Sequence, residues 1–134
     1  MHRRISLWVV VLGLLVGADA AMAASAEFQG FCTNSTTGGG TLQTACKLTV
    51  LRHPDYAPPT DCGFMGISST SWDFGDGTTG TSPGTINHTY TGVVGLTISV
   101  TVTCVDGSTA SASHCLYNNI GVGGCIRPGA GWTP

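Results

Sequence analysis

The sequence predicts an all-β fold, a sandwich of short strands held by disulfides, and three observations predict it. After residue 23, Thr, Val, Ser and Gly dominate, and helix formers do not recur at helical spacing. Residues 96–105, LTISVTVTCV, alternate Leu96, Ile98, Val100, Val102 and Cys104 with Thr97, Ser99, Thr101 and Thr103, giving one buried and one wet face. Six cysteines in a chain of 134 residues that opens on an export leader read as a disulfide framework rather than as thiols.

The leader comes first in chain order. His2, Arg3 and Arg4 precede an apolar stretch over residues 7–16, and Ala21-Met22-Ala23 fits the small-x-small cleavage rule, with Ala24-Ser25-Ala26 as a second option. The apolar run is shorter than the ~20 residues a membrane-spanning helix needs. The expectation is a signal peptide over residues 1–23, removed after Ala23, no membrane span once it is removed, and a secreted, periplasmic or cell-surface location. Residues 24–134 are then the size of a single sandwich domain. Cleavage leaves Lys47, Arg52 and Arg127 against six carboxylates, a net charge of −3 with His neutral. Three scattered cations cannot neutralise a phosphate backbone, so nucleic acid is not expected as a partner.

Strands are predicted over residues 28–33, 45–51, 69–74, 86–90, 96–105 and 108–115. In residues 45–51, Cys46, Leu48 and Val50 share a parity opposite to Lys47 and Thr49, so Cys46 points inward. Residues 34–40, NSTTGGG, read as a flexible loop. Residues 53–62 contain Pro54, Pro58 and Pro59 and cannot be a central strand. The tail, residues 121–134, is expected to be irregular and tied back only through Cys125.

The six cysteines are Cys32, Cys46, Cys62, Cys104, Cys115 and Cys125. Zinc is disfavoured, since no C-x-x-C or paired-His spacing occurs. Six cysteines allow fifteen pairings and sequence does not choose among them. Because Cys46 and Cys104 both lie on apolar parities, a bridge between them could cross from one sheet to the other, as in immunoglobulin-type domains.

Residues 72–77 read WDFGDG. Trp72 and Phe74 lie two apart on a strand and share a face, where two rings can supply much of a small core, while Asp73 points away. Gly75-Asp76-Gly77 follows, and Asp-Gly is a strong hairpin signal because the backbone tolerates positive φ and the carboxylate can accept turn amides.

After the hexamer come Pro83, then Asn87-His88-Thr89-Tyr90, then Gly95 and the alternating strand, then Val105-Asp106-Gly107. This order over residues 69–113 resembles the polycystic kidney disease (PKD) domain, an immunoglobulin-like β-sandwich whose hallmark is a W-D-F-G-D-G turn followed by H-T-Y. The chain departs from that family at Thr97, where an aromatic is common, and in its wealth of cysteine. The resemblance implies that Trp72 and Phe74 build the core and that Asp76 caps its hairpin. It also implies that Tyr90 is similar to the tyrosine corner of sandwich folds and that His88 is a framework residue rather than a base.

No enzyme is expected. Asp73 and Asp76 could be read as a carboxylate pair, but glycoside hydrolysis needs opposed acids across a cleft, roughly 5 to 9 Å apart, and two acids on one tight hairpin do not frame a substrate. No G-x-S-x-G elbow supports a serine nucleophile, and His53, His88 and His114 are too scattered to nominate a base. No cofactor is expected. Calcium is the one ion left open, because Asp55, Asp61, Asp73, Asp76 and Asp106 are hard oxygen donors, yet no D-x-D-x-D-G loop names a ligand set. Asn34 and Asn87 each open an N-x-[ST] pattern, the second inside the structural motif.

Two functional classes follow. The first is a secreted non-catalytic module that binds an extracellular protein or polysaccharide through its faces or loops. The second is a small disulfide-stabilised effector, an enzyme inhibitor or toxin, whose candidate loop is residues 53–62. The rings Phe28, Phe31, Tyr56, Phe64, Tyr117 and Trp132 discriminate: a planar strip of several favours polysaccharide, and Tyr56 alone on the proline loop favours protein.

Overall fold

The computed structural model describes residues 24–52, 61–62, 66–118, 125–126 and 128–129. Seven strands run in the order β1 (Phe28–Thr36), β2 (Leu42–Val50), β3 (Ile67–Asp73), β4 (Thr79–Thr81), β5 (Thr85–Thr91), β6 (Gly95–Cys104) and β7 (Thr109–Tyr117), with no helix among the described residues. They form two antiparallel sheets, β1-β2-β5 and β4-β3-β6-β7. The chain crosses between sheets after β2, after β4 and after β5.

Alternation explains the sandwich. Ile98, Val100 and Val102 of β6 turn fully inward while Thr97, Ser99, Thr101 and Thr103 face out. Opposite them, β1 and β2 present Phe28, Cys32, Cys46, Leu48 and Val50 to the same core. Each such aliphatic side chain stabilises by about 1.5–3 kcal/mol when fully buried.

The structure differs from the sequence expectation in four places. Residues 34–36 are not loop: Asn34 faces Thr44 and Thr36 faces Leu42, so the hairpin turn shrinks to residues 37–41, closed by Thr37 N donating to Thr41 O. The three-residue strand β4 has no apolar alternation by which to be found; its Gly80 pairs with Trp72. The tail is held by more than its cysteine, since Ile126 is buried in the core, its N donates to Cys115 O and its O accepts from Tyr117 N. Gly129 N donates to Cys32 O and Pro128 bridges Cys32, so Ile126 is tied to β7 of one sheet and Pro128 and Gly129 to β1 of the other.

The fourth difference is the cystine pairing. Cys46 bonds to Cys32, Cys104 to Cys62, and Cys115 to Cys125, so no Cys46–Cys104 bridge exists. Cys32 and Cys46 are direct cross-strand partners with Cα atoms 4.0 Å apart. Strands in a sheet lie about 4.8 Å apart and stacked sheets about 10 Å, so the neighbour in the same sheet was the nearer partner for an inward Cys46. Residues 1–23 and 53–60, the rings Tyr56, Phe64 and Trp132, and most of the tail lie outside the described residues.

Candidate functional site

The hexamer occupies the end of β3 and the turn into β4. Trp72 is fully buried and meets the ring of Phe28 edge-on, centroids 5.3 Å apart. Its indole Nε1 is buried without a hydrogen-bond partner among the described residues, a cost of about 1–3 kcal/mol set against the large apolar area of the ring. Phe74 lies on the same face, is buried, and stacks flat on the imidazole of His88, centroids 4.0 Å apart and planes 2° from parallel.

The turn is built by its two carboxylates. Asp73 Oδ1 accepts from Gly75 N at 2.9 Å. Asp76 Oδ1 accepts from the amide and the hydroxyl of Thr78, at 3.0 and 2.6 Å, and its Oδ2 lies 2.7 Å from His88 Nε2. Burial pulls the Asp76 carboxyl upward, but the Thr78 hydroxyl, His88 and the Thr78 amide outweigh it, and the group falls from 3.8 to about 2. Gly75 and Gly77 have φ of 77° and 89°, the left-handed region in which side chains are strained. A Cβ at Gly75 would also sit 2.3 Å from the carbonyl oxygen of Thr97.

Tyr90 closes the arrangement from β5. Its buried hydroxyl donates to Phe74 O at 3.1 Å and its ring meets His88 edge-on. Burial, with the negative charges of Asp76 and Asp73 adding to it, holds the phenol well above its ordinary range. The structure thus brings Phe74, Asp76, His88 and Tyr90 into one contact set, in which Asp76 Oδ2 meets His88 Nε2 while Asp76 Oδ1 and the Tyr90 hydroxyl bond to the turn.

The other carboxylates lie elsewhere. Asp106 sits in the β6–β7 turn, at the opposite end of the β3–β6 ladder from Asp73, where its Oδ1 accepts from Ser108 N and Oγ. These Ser108 bonds hold its carboxyl below the usual range. Asp61 pairs through its backbone with Ser25, and Asp55 and His53 lie outside the described residues. Among the described residues no three His, Cys, Asp or Glu side chains come together as a metal would require. His114 is 2.6 Å from Glu27 Oε1 and packs against Phe28.

Of the rings proposed to discriminate ligands, Phe28 is core, Tyr117 is half-buried, and Phe31 is half exposed. The described residues contain no aromatic strip.

Sequence reasoning missed one polar network. Buried Asn118 donates from Nδ2 to Thr44 Oγ1 and to Gly92 O, both at 2.8 Å, and accepts from Val94 N at 2.8 Å. Thr44 donates to Asn34 Oδ1 at 2.7 Å, and Asn34 Nδ2 donates to Asn118 O. The available signal was the inward parity of Thr44 beside Cys46 and Leu48, a polar residue where an apolar one belongs.

A family model described as "PKD domain" matches residues 64–116, a span that takes in β3 to most of β7 and leaves out β1 and β2. No curated protein matches the chain. Among solved structures the chain is similar to the crystal structure of the PKD1 domain from Vibrio cholerae metalloprotease PrtV, with 23% identity and a TM-score of 0.48, covering 72% of this chain and 96% of that one.

Proposed function

From the match of residues 64–116 to the PKD domain family, we propose that the chain is a non-catalytic extracellular module that binds a protein or polysaccharide. PKD domains are commonly such modules. The observation that carries the reading is the state of the hexamer. Asp73 and Asp76 are engaged by Gly75, Thr78 and His88, and His88 is stacked on Phe74, so the groups best suited to acid–base chemistry serve the turn. The same contacts, with the burial of Trp72 and the Tyr90 bond to Phe74 O, support a framework role for the six motif residues, His88 and Tyr90. The leader and the three disulfides support export, where cystines persist.

Passage of the purified protein over insoluble chitin, cellulose and collagen tests the reading. Retention on at least one matrix, with no turnover of it, is the expected result; elution in the void from all three would contradict it.

A further inference from the structure

The two sheets present chemically different outer faces. On the four-stranded sheet the outward side chains are Ser and Thr with Asp73, joined at one end by the half-buried Cys115 and Tyr117, and several hydroxyls are already paired with one another, Ser99 with Ser113 and Thr101 with Ser111, both at 2.9 Å. The face of β1-β2-β5 differs. Registry places twelve side chains on it, four from each strand, none of them buried: nine carry a hydroxyl or an amide, and the others are Phe31, Ala45 and Lys47. No carboxylate is among them.

Phe31, Lys47 and Asn87 form one cross-strand row, a half-exposed ring beside the chain's only lysine beside an amide. The next row is Thr33, Ala45 and Thr89, and the small Ala45 leaves a depression of about 280 Å³ lined by these six residues together with Cys46 and His88. That volume is near the ~300 Å³ lower limit of small-molecule sites, enough for a sugar ring or two on an open surface.

Resting on the binding-module reading, we propose that this face binds a carboxylated polysaccharide, a polyuronate, with a sugar ring stacked on Phe31, a carboxylate at Lys47 and hydroxyls bonded by Asn87, Thr33 and Thr89. Charge selects the occupant: on a chain of net negative charge this acid-free face carries a cation, so it attracts an anion where the Asp73-bearing face repels one. The polar lining selects a polyhydroxylated ligand over a protein, because the core of a protein interface is about 65% apolar and only Phe31 and Ala45 are apolar here. An aromatic face with flanking hydrogen-bond groups suits a pyranose, whose C–H face is apolar and whose rim is polar.

Affinity electrophoresis through gels containing polygalacturonate, highly methyl-esterified pectin or poly-glutamate tests the proposal. The protein should be retarded most by polygalacturonate. Phe31→Ala should weaken that retardation about tenfold, and Lys47→Gln should abolish the preference for the free acid over the ester. Ser111→Ala, on the other face, should change nothing, and melting temperatures of all variants should stay close to the parent because the changed side chains are exposed or half-exposed. No retardation by polygalacturonate, or retardation indifferent to both Phe31→Ala and Lys47→Gln, overturns the proposal, as does stronger, variant-sensitive retardation by poly-glutamate, which would indicate an acidic protein partner. If polygalacturonate fails while chitin, cellulose or collagen retains the protein, this proposal falls and the binding-module reading stands; if every matrix fails, both fall.

Discussion

Asp76 shows how one side chain of the hexamer is tied to stability through pH. Its folded pKa of about 2 lies below the unfolded value of 3.8, so the stability it contributes is fully present above pH ~4 and is lost as pH falls through about 2. The carboxylate lies at an exposed turn, so after solvent screening the contribution is about 1 kcal/mol. Urea unfolding of the parent and of Asp76→Asn between pH 5 and 2 should show the parent losing stability more steeply. Parallel curves would mean the carboxylate is not held by Thr78 and His88. Tyr90 makes the complementary case. Removing its hydroxyl in Tyr90→Phe leaves the Phe74 carbonyl without that donor in a buried setting and should destabilise by about 1–2 kcal/mol, read as a melting temperature several degrees lower.

For the β3–β4 hairpin, backbone shape matters more than side-chain contact. Gly75 and Gly77 share a positive φ, yet a Cβ at Gly75 meets the Thr97 carbonyl on β6 while one at Gly77 meets nothing within 4 Å. Gly77→Ala should therefore cost about 1 kcal/mol, the conformational strain alone, whereas Gly75→Ala adds a backbone clash and should cost about 3 kcal/mol or more. Denaturant midpoints of the two variants measure the difference; equal midpoints would remove the close approach of this turn to β6. The same hairpin illustrates what could be read in advance. The positions of Trp72 and Phe74 and the Asp-Gly turn follow from period-two alternation and turn chemistry, which are local. The strand β4 does not, because a Thr-Gly-Thr segment becomes a strand only when β3 supplies its partner. Residues 34–36 went unread for a similar reason: Asn, Ser and Thr favour loops until Asn118 and Thr44 satisfy the Asn34 amide from elsewhere in the chain.

Across the whole molecule the cystines stabilise by restricting the unfolded chain. Cys62–Cys104 closes 42 residues, against 14 for Cys32–Cys46 and 10 for Cys115–Cys125, so it should contribute about 4 kcal/mol and each of the others about 3. Paired replacement of Cys62 and Cys104 by Ala should accordingly lower the melting temperature most of the three pairs; a larger loss from Cys115 and Cys125 would instead mean that the Ile126 clasp dominates. The two sheets were legible from alternation, but the pairing was not, because parity tells which way Cys46 points and not which neighbour stands beside it. The ligand face was equally hidden: Phe31 and Lys47 are sixteen residues apart in sequence and meet only through the β1–β2 register.

The acids of WDFGDG hold a turn rather than act on a ligand. The most direct measurement is thermal unfolding of the double variant Asp73→Ala, Asp76→Ala, taken together with its retention on whichever polymer holds the parent. A loss of about 2–3 kcal/mol in stability with retention unchanged at a temperature where both proteins are folded is the predicted result. Unchanged stability with retention abolished would contradict it and make the hexamer the ligand site.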